Sequence, residues 1–137
     1  MLRSAATLFL AAAFVLHAGD SDAAKKFLGE WNAKYKDTVV CTIRLTAGDP
    51  IDGQSENCNL NVDANGDLQE PDPSVHSDSP SPILNPRVLG STLAFEEKEG
   101  DETLKFEFTL VADGKAELKI IDAPVAVKPI PFSRKAG

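Results

Sequence analysis

An all-β fold is what this sequence predicts: an up-and-down antiparallel meander of seven or eight strands forming a closed or partly open barrel. Three observations carry that expectation. Apolar and polar residues alternate at period two through most of the chain after residue 25, the pattern of a strand with one buried face. No stretch carries a convincing apolar stripe at helical spacing. Turn-forming residues separate the alternating runs, notably Gly48–Gly53, Lys98–Glu102 and Asp113-Gly114.

The elements follow in order. Phe27, Gly29, Trp31, Ala33 and Tyr35 alternate with polar neighbours and predict the first strand. Val39, Cys41, Ile43 and Leu45 predict the second, and Cys58, Leu60 and Val62 the third, with Gly48–Gly53 as the hairpin between them. Leu93 and Phe95 belong to a strand that ends in a charged tip, and Glu96-Glu97-Lys98-Glu99 reads as the exposed part of it. Leu104, Phe106, Phe108 and Leu110 predict the next strand. Asp113-Gly114 predicts a type I′ turn, in which both central residues take positive φ. Ala116, Leu118 and Ile120 follow on the returning strand. A last run, Val125 to Arg134, contains Pro129 and Pro131, which cannot donate to a ladder, so it predicts an irregular or edge strand. Between the two halves, residues 69–87 hold five of the nine prolines and predict a loosely ordered connecting loop.

Compartment is read from the first residues. Arg3 followed by the twelve-residue apolar run Ala5–Leu16 has the form of a cleavable signal peptide. The run falls short of the roughly 20 residues needed to span hydrocarbon. Small residues at Ser21 and Ala23 favour cleavage after Ala23, with cleavage after Ala18 as the rival. The expected organisation is a signal peptide at 1–23 and one domain at 24–137, exported to a periplasmic or extracellular space. Removing residues 1–23 takes away Arg3, Asp20 and Asp22, so the net charge goes from −7 to −6. An acidic surface repels phosphate backbones, which excludes nucleic acid as a partner. No basic amphipathic stretch argues for a membrane surface after cleavage.

The two cysteines, Cys41 and Cys58, are expected to pair in an oxidising compartment. Two thiols without further Cys or a nearby His cannot complete a zinc site. A hairpin centred on Gly48–Gly53 places the two nearly opposite one another.

The Gly29-x-Trp31 at the start of the first strand, with Arg134 at the end of the last, resembles the lipocalin and avidin superfamily. It is closest in style to small exported bacterial lipocalin-like domains. The resemblance implies a barrel plugged at one end by Trp31, with Arg134 packed over the ring in a cation–π contact. The sequence departs from that pattern in two places: only Ala24–Leu28 is available for the helical turn that precedes the glycine, and no helix follows the barrel. The residues that hold biotin in avidins have no counterparts here, so no cofactor is carried over.

Chemistry-bearing motifs are few. Asn61 to Asp72 resembles a twelve-residue calcium loop, with oxygen ligands Asn61, Asp63 and Asn65 at positions one, three and five, Gly66 at six and the carboxylate of Asp72 at twelve, Asn61 and Asp72 standing for the usual Asp and Glu. The same residues satisfy a hairpin turn built on Asn65-Gly66, which is the preferred reading, and no metal is expected. His17 leaves with the signal, while His76 sits in the proline-rich loop beside Ser74, Ser77, Asp78 and Ser79, without the fixed geometry a catalytic triad needs. The protein is therefore expected not to be an enzyme. Two functions stay open. One is a binding module holding a small apolar ligand in the barrel. The other is a structural or interaction domain whose barrel is filled by large side chains such as Trp31, Tyr35, Phe95, Phe106 and Phe108.

Overall fold

The computed structural model describes residues 22–74 and 80–136. The apolar run at 5–16, the rival cleavage point after Ala18 and the group His76, Ser77, Asp78 and Ser79 lie outside the described residues. Among those described, no helix is long and apolar enough to cross a membrane.

The chain folds into a nine-stranded antiparallel sheet curled into a nearly closed barrel with one unsealed seam, accompanied by a small two-stranded hairpin. The strands are β1 (Gly29–Tyr35), β2 (Thr38–Thr46), β3 (Asp52–Glu56), β4 (Asn61–Val62), β5 (Leu68–Gln69), β6 (Ser81–Pro82), β7 (Leu84–Leu89), β8 (Thr92–Glu99), β9 (Glu102–Ala112), β10 (Lys115–Ile121) and β11 (Ile130–Arg134). The sheet runs β6-β3-β2-β1-β11-β10-β9-β8-β7, so first and last strands are neighbours, β3 pairs with β6 across the intervening residues 57–80, and every other step joins consecutive strands. The two ends of the sheet, β6 and β7, are separated in sequence only by Ile83. Its buried side chain and its N–H, donated to Gly53 O at 3.0 Å, carry the chain from one edge to the other.

One end of the barrel is packed solid. Trp31 on β1 meets Phe108 on β9 edge-on at 5.2 Å, and Phe108 meets Phe132 on β11 at 5.6 Å. Trp31, Phe27 and Phe108 are each 0 % exposed. The indole Nε1–H donates to Phe27 O at 2.8 Å, which satisfies its single donor in a dry setting. Arg134 lies over the indole, its Cζ 4.5 Å from the ring centroid, and its guanidinium donates to Lys26 O. Gly29 holds φ at +124°, and the Arg134 side chain passes 3.7 Å from where a Cβ would stand. Only glycine takes that backbone angle without strain. Ahead of it, residues 22–25 form one helical turn, which includes two residues upstream of the favoured cleavage point after Ala23.

Several elements depart from the alternation pattern. The third strand ends at Glu56, because Asn57 adopts the left-handed conformation (φ 51°) and takes the chain off the ladder. Cys58 therefore lies beyond the strand, not on its apolar face. Asn59 N–H donates to Val40 O at 2.8 Å, which brings Cys58 beside Cys41 and allows the disulfide. Closing a loop of 17 residues in this way contributes about 3 kcal/mol by the chain-entropy estimate. The Asp113-Gly114 turn is not type I′: Gly114 alone has positive φ, and a register shift between Lys115 and Ala116 absorbs the difference. The left-handed pair is instead Lys36-Asp37 (φ 48° and 68°), joining β1 to β2.

The prolines read differently as well. From Ser81 onward the proline-rich segment supplies β6 and β7, with Pro86 at the register shift between Leu84 and Arg87. β11 is not an edge strand but sits between β1 and β10. Arg134 N–H points to Gly114 O on the β10 side and Lys135 N–H to Glu30 O on the β1 side. By alternation the nitrogen of Pro131 faces β1, and the β1–β11 ladder consists of Trp31↔Arg134 and Asn32↔Ser133, stopping short of it. The missing donor is thus placed where no ladder bond is asked of it.

Residues 61–72 form a hairpin. Gly66 N–H closes the turn on Asp63 O at 3.0 Å, and Asp63 Oδ1 accepts the N–H groups of Asn65 and Asp67 at 2.9 and 3.0 Å. The Asp63 side chain is thus spent on its own turn. Gly66, at φ 86°, packs where a Cβ would stand 2.7 Å from Ala126 O. Lys128 anchors the tip with an N–H to Gly66 O at 2.9 Å and an ion pair to Asp67 at 2.9 Å.

Trp31→Ala removes the centre of the packed end and is expected to cost ~3–5 kcal/mol in denaturant unfolding. A loss below about 1 kcal/mol, the size of an ordinary surface change, would contradict this packing.

Candidate functional site

The opposite end of the barrel is hollow. The registers put the β2–β3, β7–β8 and β9–β10 turns at the packed end, and the β1–β2 and β8–β9 turns with residues 57–62 at the other. There a cavity of about 430 Å³ opens, walled by Ile43, Phe95, Phe106, Leu118 and Ile120. Phe95 and Phe106 stack at 5.3 Å along one wall, so these two line a space that sequence reasoning had them fill. Leu60, Asn61 and Asp72 form part of the rim.

That rim is tied down at both ends. The disulfide fixes its base to β2, and Lys128 fixes the hairpin tip to the connection before β11. Between them Asn59 Nδ2–H donates to Asp72 O at 2.7 Å and Asn61 Nδ2–H to Glu70 O at 3.0 Å, joining the two legs of the insert. Cys41 and Cys58 therefore hold the mouth of the cavity as well as stapling the chain.

One polar group stands out among the cavity walls. Glu97 lies on β8 two positions beyond Phe95, and the registers Phe95↔Phe106 and Glu97↔Leu104 set it on the inward face. Ser55 Oγ donates to Glu97 Oε1 at 2.9 Å across the seam between the sheet's two ends. Glu97 Oε2 is shielded from solvent and has no hydrogen-bond partner among the described residues. Removal from water disfavours the charged form and pushes the carboxyl up to about 7; the Ser55 hydrogen bond opposes this shift, and the charge of Glu99 adds to it. Reading Glu96 to Glu99 as an exposed tip is thus corrected at Glu97, while Lys98 and Glu99 are exposed. The signal was present in the period: Leu93 and Phe95 face inward, so Glu97 must as well.

Gly29, Trp31 and Arg134 gather at the packed end, away from this cavity. Among the described residues no three His, Cys, Asp or Glu side chains are grouped to hold a metal ion. The outer face of β1, β2 and β3 carries Arg44 between Glu30 (2.6 Å) and Glu56 (3.0 Å). Hydrogen bonds from Gln54 and Arg44 hold the Glu56 carboxyl below its usual range, and this exposed network is solvated surface. Comparison with family models, curated proteins and solved structures found no match.

Glu97 also sets a pH dependence. Its carboxyl holds a proton in the fold up to about 7, whereas a carboxyl at the usual 4.5 has released it. The stabilisation is complete below about 4.5 and is lost as pH rises through about 7. The melting temperature of the wild type minus that of Glu97→Gln should fall across this window, with the variant the more stable at alkaline pH. Parallel pH profiles for the two proteins would contradict a buried carboxyl.

Proposed function

We propose that this chain is an exported, non-enzymatic, lipocalin-like domain that holds a small molecule with an apolar body in the open half of its barrel. The observation that carries the reading is the cavity of about 430 Å³ walled by Ile43, Phe95, Phe106, Leu118 and Ile120. Its size lies within the range of small-molecule sites, and beside the apolar wall stand polar residues that could orient a ligand, among them Ser55, Asn59, Ser81 and Glu97. The lipocalin-like assignment is supported by adjacent first and last strands and by Arg134 over Trp31 beside Gly29. Export is supported by the Arg3-led apolar run and the Cys41–Cys58 disulfide. The alternative of a barrel filled by its own side chains describes the Trp31 end and leaves the Glu97 end unaccounted for.

Titration with the neutral fluorescent probe N-phenyl-1-naphthylamine tests the reading. Saturable binding at one site is expected, and Ile120→Trp, which places a ring in the cavity, should abolish it while the melting transition is kept. No saturable signal with the folded wild type would contradict the proposal.

A further inference from the structure

The inward carboxylate is the feature that apolar binding alone does not explain. An isolated apolar pocket is cheapest to build without a buried charge, because a carboxylate oxygen removed from water without a partner is costly. Here the Ser55 hydroxyl satisfies one oxygen of Glu97, while the other is shielded from water and has no hydrogen-bond partner among the described residues. A carboxylate oxygen only accepts hydrogen bonds, so the complementary group is a donor, and one with positive charge pairs best. The surroundings agree. The charged residues that line the same cavity are Asp72, Lys98 and Glu99 besides Glu97, three carboxylates to one ammonium. From the facing elements the contributions are uncharged: Ser55 on β3, Ser81 on β6, and Leu104 opposite on β9. A chain with a net charge of −7 adds a field of the same sign. An anionic ligand would meet repulsion at the mouth, where Lys98 stands against three carboxylates.

Resting on the binding reading above, we propose that the ligand is a cationic amphiphile, an amine on an apolar or aromatic body, whose ammonium is received by the Glu97 carboxylate while the body packs against Phe95, Phe106, Leu118 and Ile120. Ser55 fixes the carboxylate in place through Oε1. The Asp72 backbone, fixed by Asn59, completes the rim at the entrance. Binding of the ammonium favours the ionised carboxylate, so affinity for the amine rises with pH across the range in which Glu97 gives up its proton.

The test is a calorimetric comparison of octylamine, 1-octanol and octanoate, each below its aggregation limit, on the full exported chain. One apolar body is thereby presented with a cationic, a neutral and an anionic head. Octylamine should bind about tenfold to a hundredfold more tightly than octanol, the span of a hydrogen bond to a charged group, and octanoate least. In the near-isosteric Glu97→Gln the advantage of the amine over the alcohol should collapse, while octanol binding is retained. In the wild type that advantage should shrink in acid, a readout that needs no variant. Equal binding of amine and alcohol, or an advantage that persists in Glu97→Gln and at acid pH, would overturn the amine inference and leave apolar binding standing. No binding of any of the three would overturn both.

Discussion

The middle of the sheet depends on the contact between Trp31 and Arg134. The edges, β6 and β7, meet at the seam beside Ile83. The chain's first and last strands, β1 and β11, are instead joined within the sheet by a ladder of only two residue pairs. Pro131 removes the next donor on the same side, so backbone hydrogen bonding alone is a thin join. The side chains supply what the ladder lacks. The indole fills the end of the barrel against Phe108 and Phe132, the guanidinium covers its outer face, and both donate to carbonyls of the turn that precedes β1. Strand pairing, ring packing and the entry of the chain are thereby fixed at one point.

The packed end has a consequence for the other. The large rings Trp31, Phe27, Phe108 and Phe132 are gathered at one end. The walls at the other end are branched aliphatics and a stacked Phe95–Phe106 pair lying along the sheet. An eight- or nine-stranded barrel is near the width at which side chains just fill the interior. A modest shift of bulk to one end is enough to leave a space at the other. The insert at 57–74 then borders that space, and the disulfide and Lys128 hold it in place.

The sequence was most legible where alternation is regular. β8, β9 and β10 follow the apolar period, and the inward rings Phe95, Phe106 and Phe108 could be named from it. The barrel anchor, Gly29 with Trp31 and Arg134, was also legible, since a glycine, a lone tryptophan and a distant arginine at strand ends are unusual in combination. What escaped were features decided by a single backbone angle or by distant partners. Asn57 turns left-handed and cuts the third strand short, although its neighbours continue to alternate. Ser81–Leu89 becomes a strand because β3 and β8 both offer edges to it, and local composition carries no trace of that. Glu97 was obscured by its own chemistry: an acidic run resembles a solvated tip, and only the register inherited from Leu93 and Phe95 turns one member of it inward.

Because the chain contains a single tryptophan, its fluorescence reports the central contact without labelling. If Trp31 is sealed between Phe108 and Arg134, the native protein will emit well to the blue of a water-exposed indole and resist quenching by acrylamide. Arg134→Ala will then increase quenching while the far-ultraviolet β signal is kept. Native emission already at the water-exposed position, or free quenching in the wild type, would show that the ring does not fill the end of the barrel and would contradict the account.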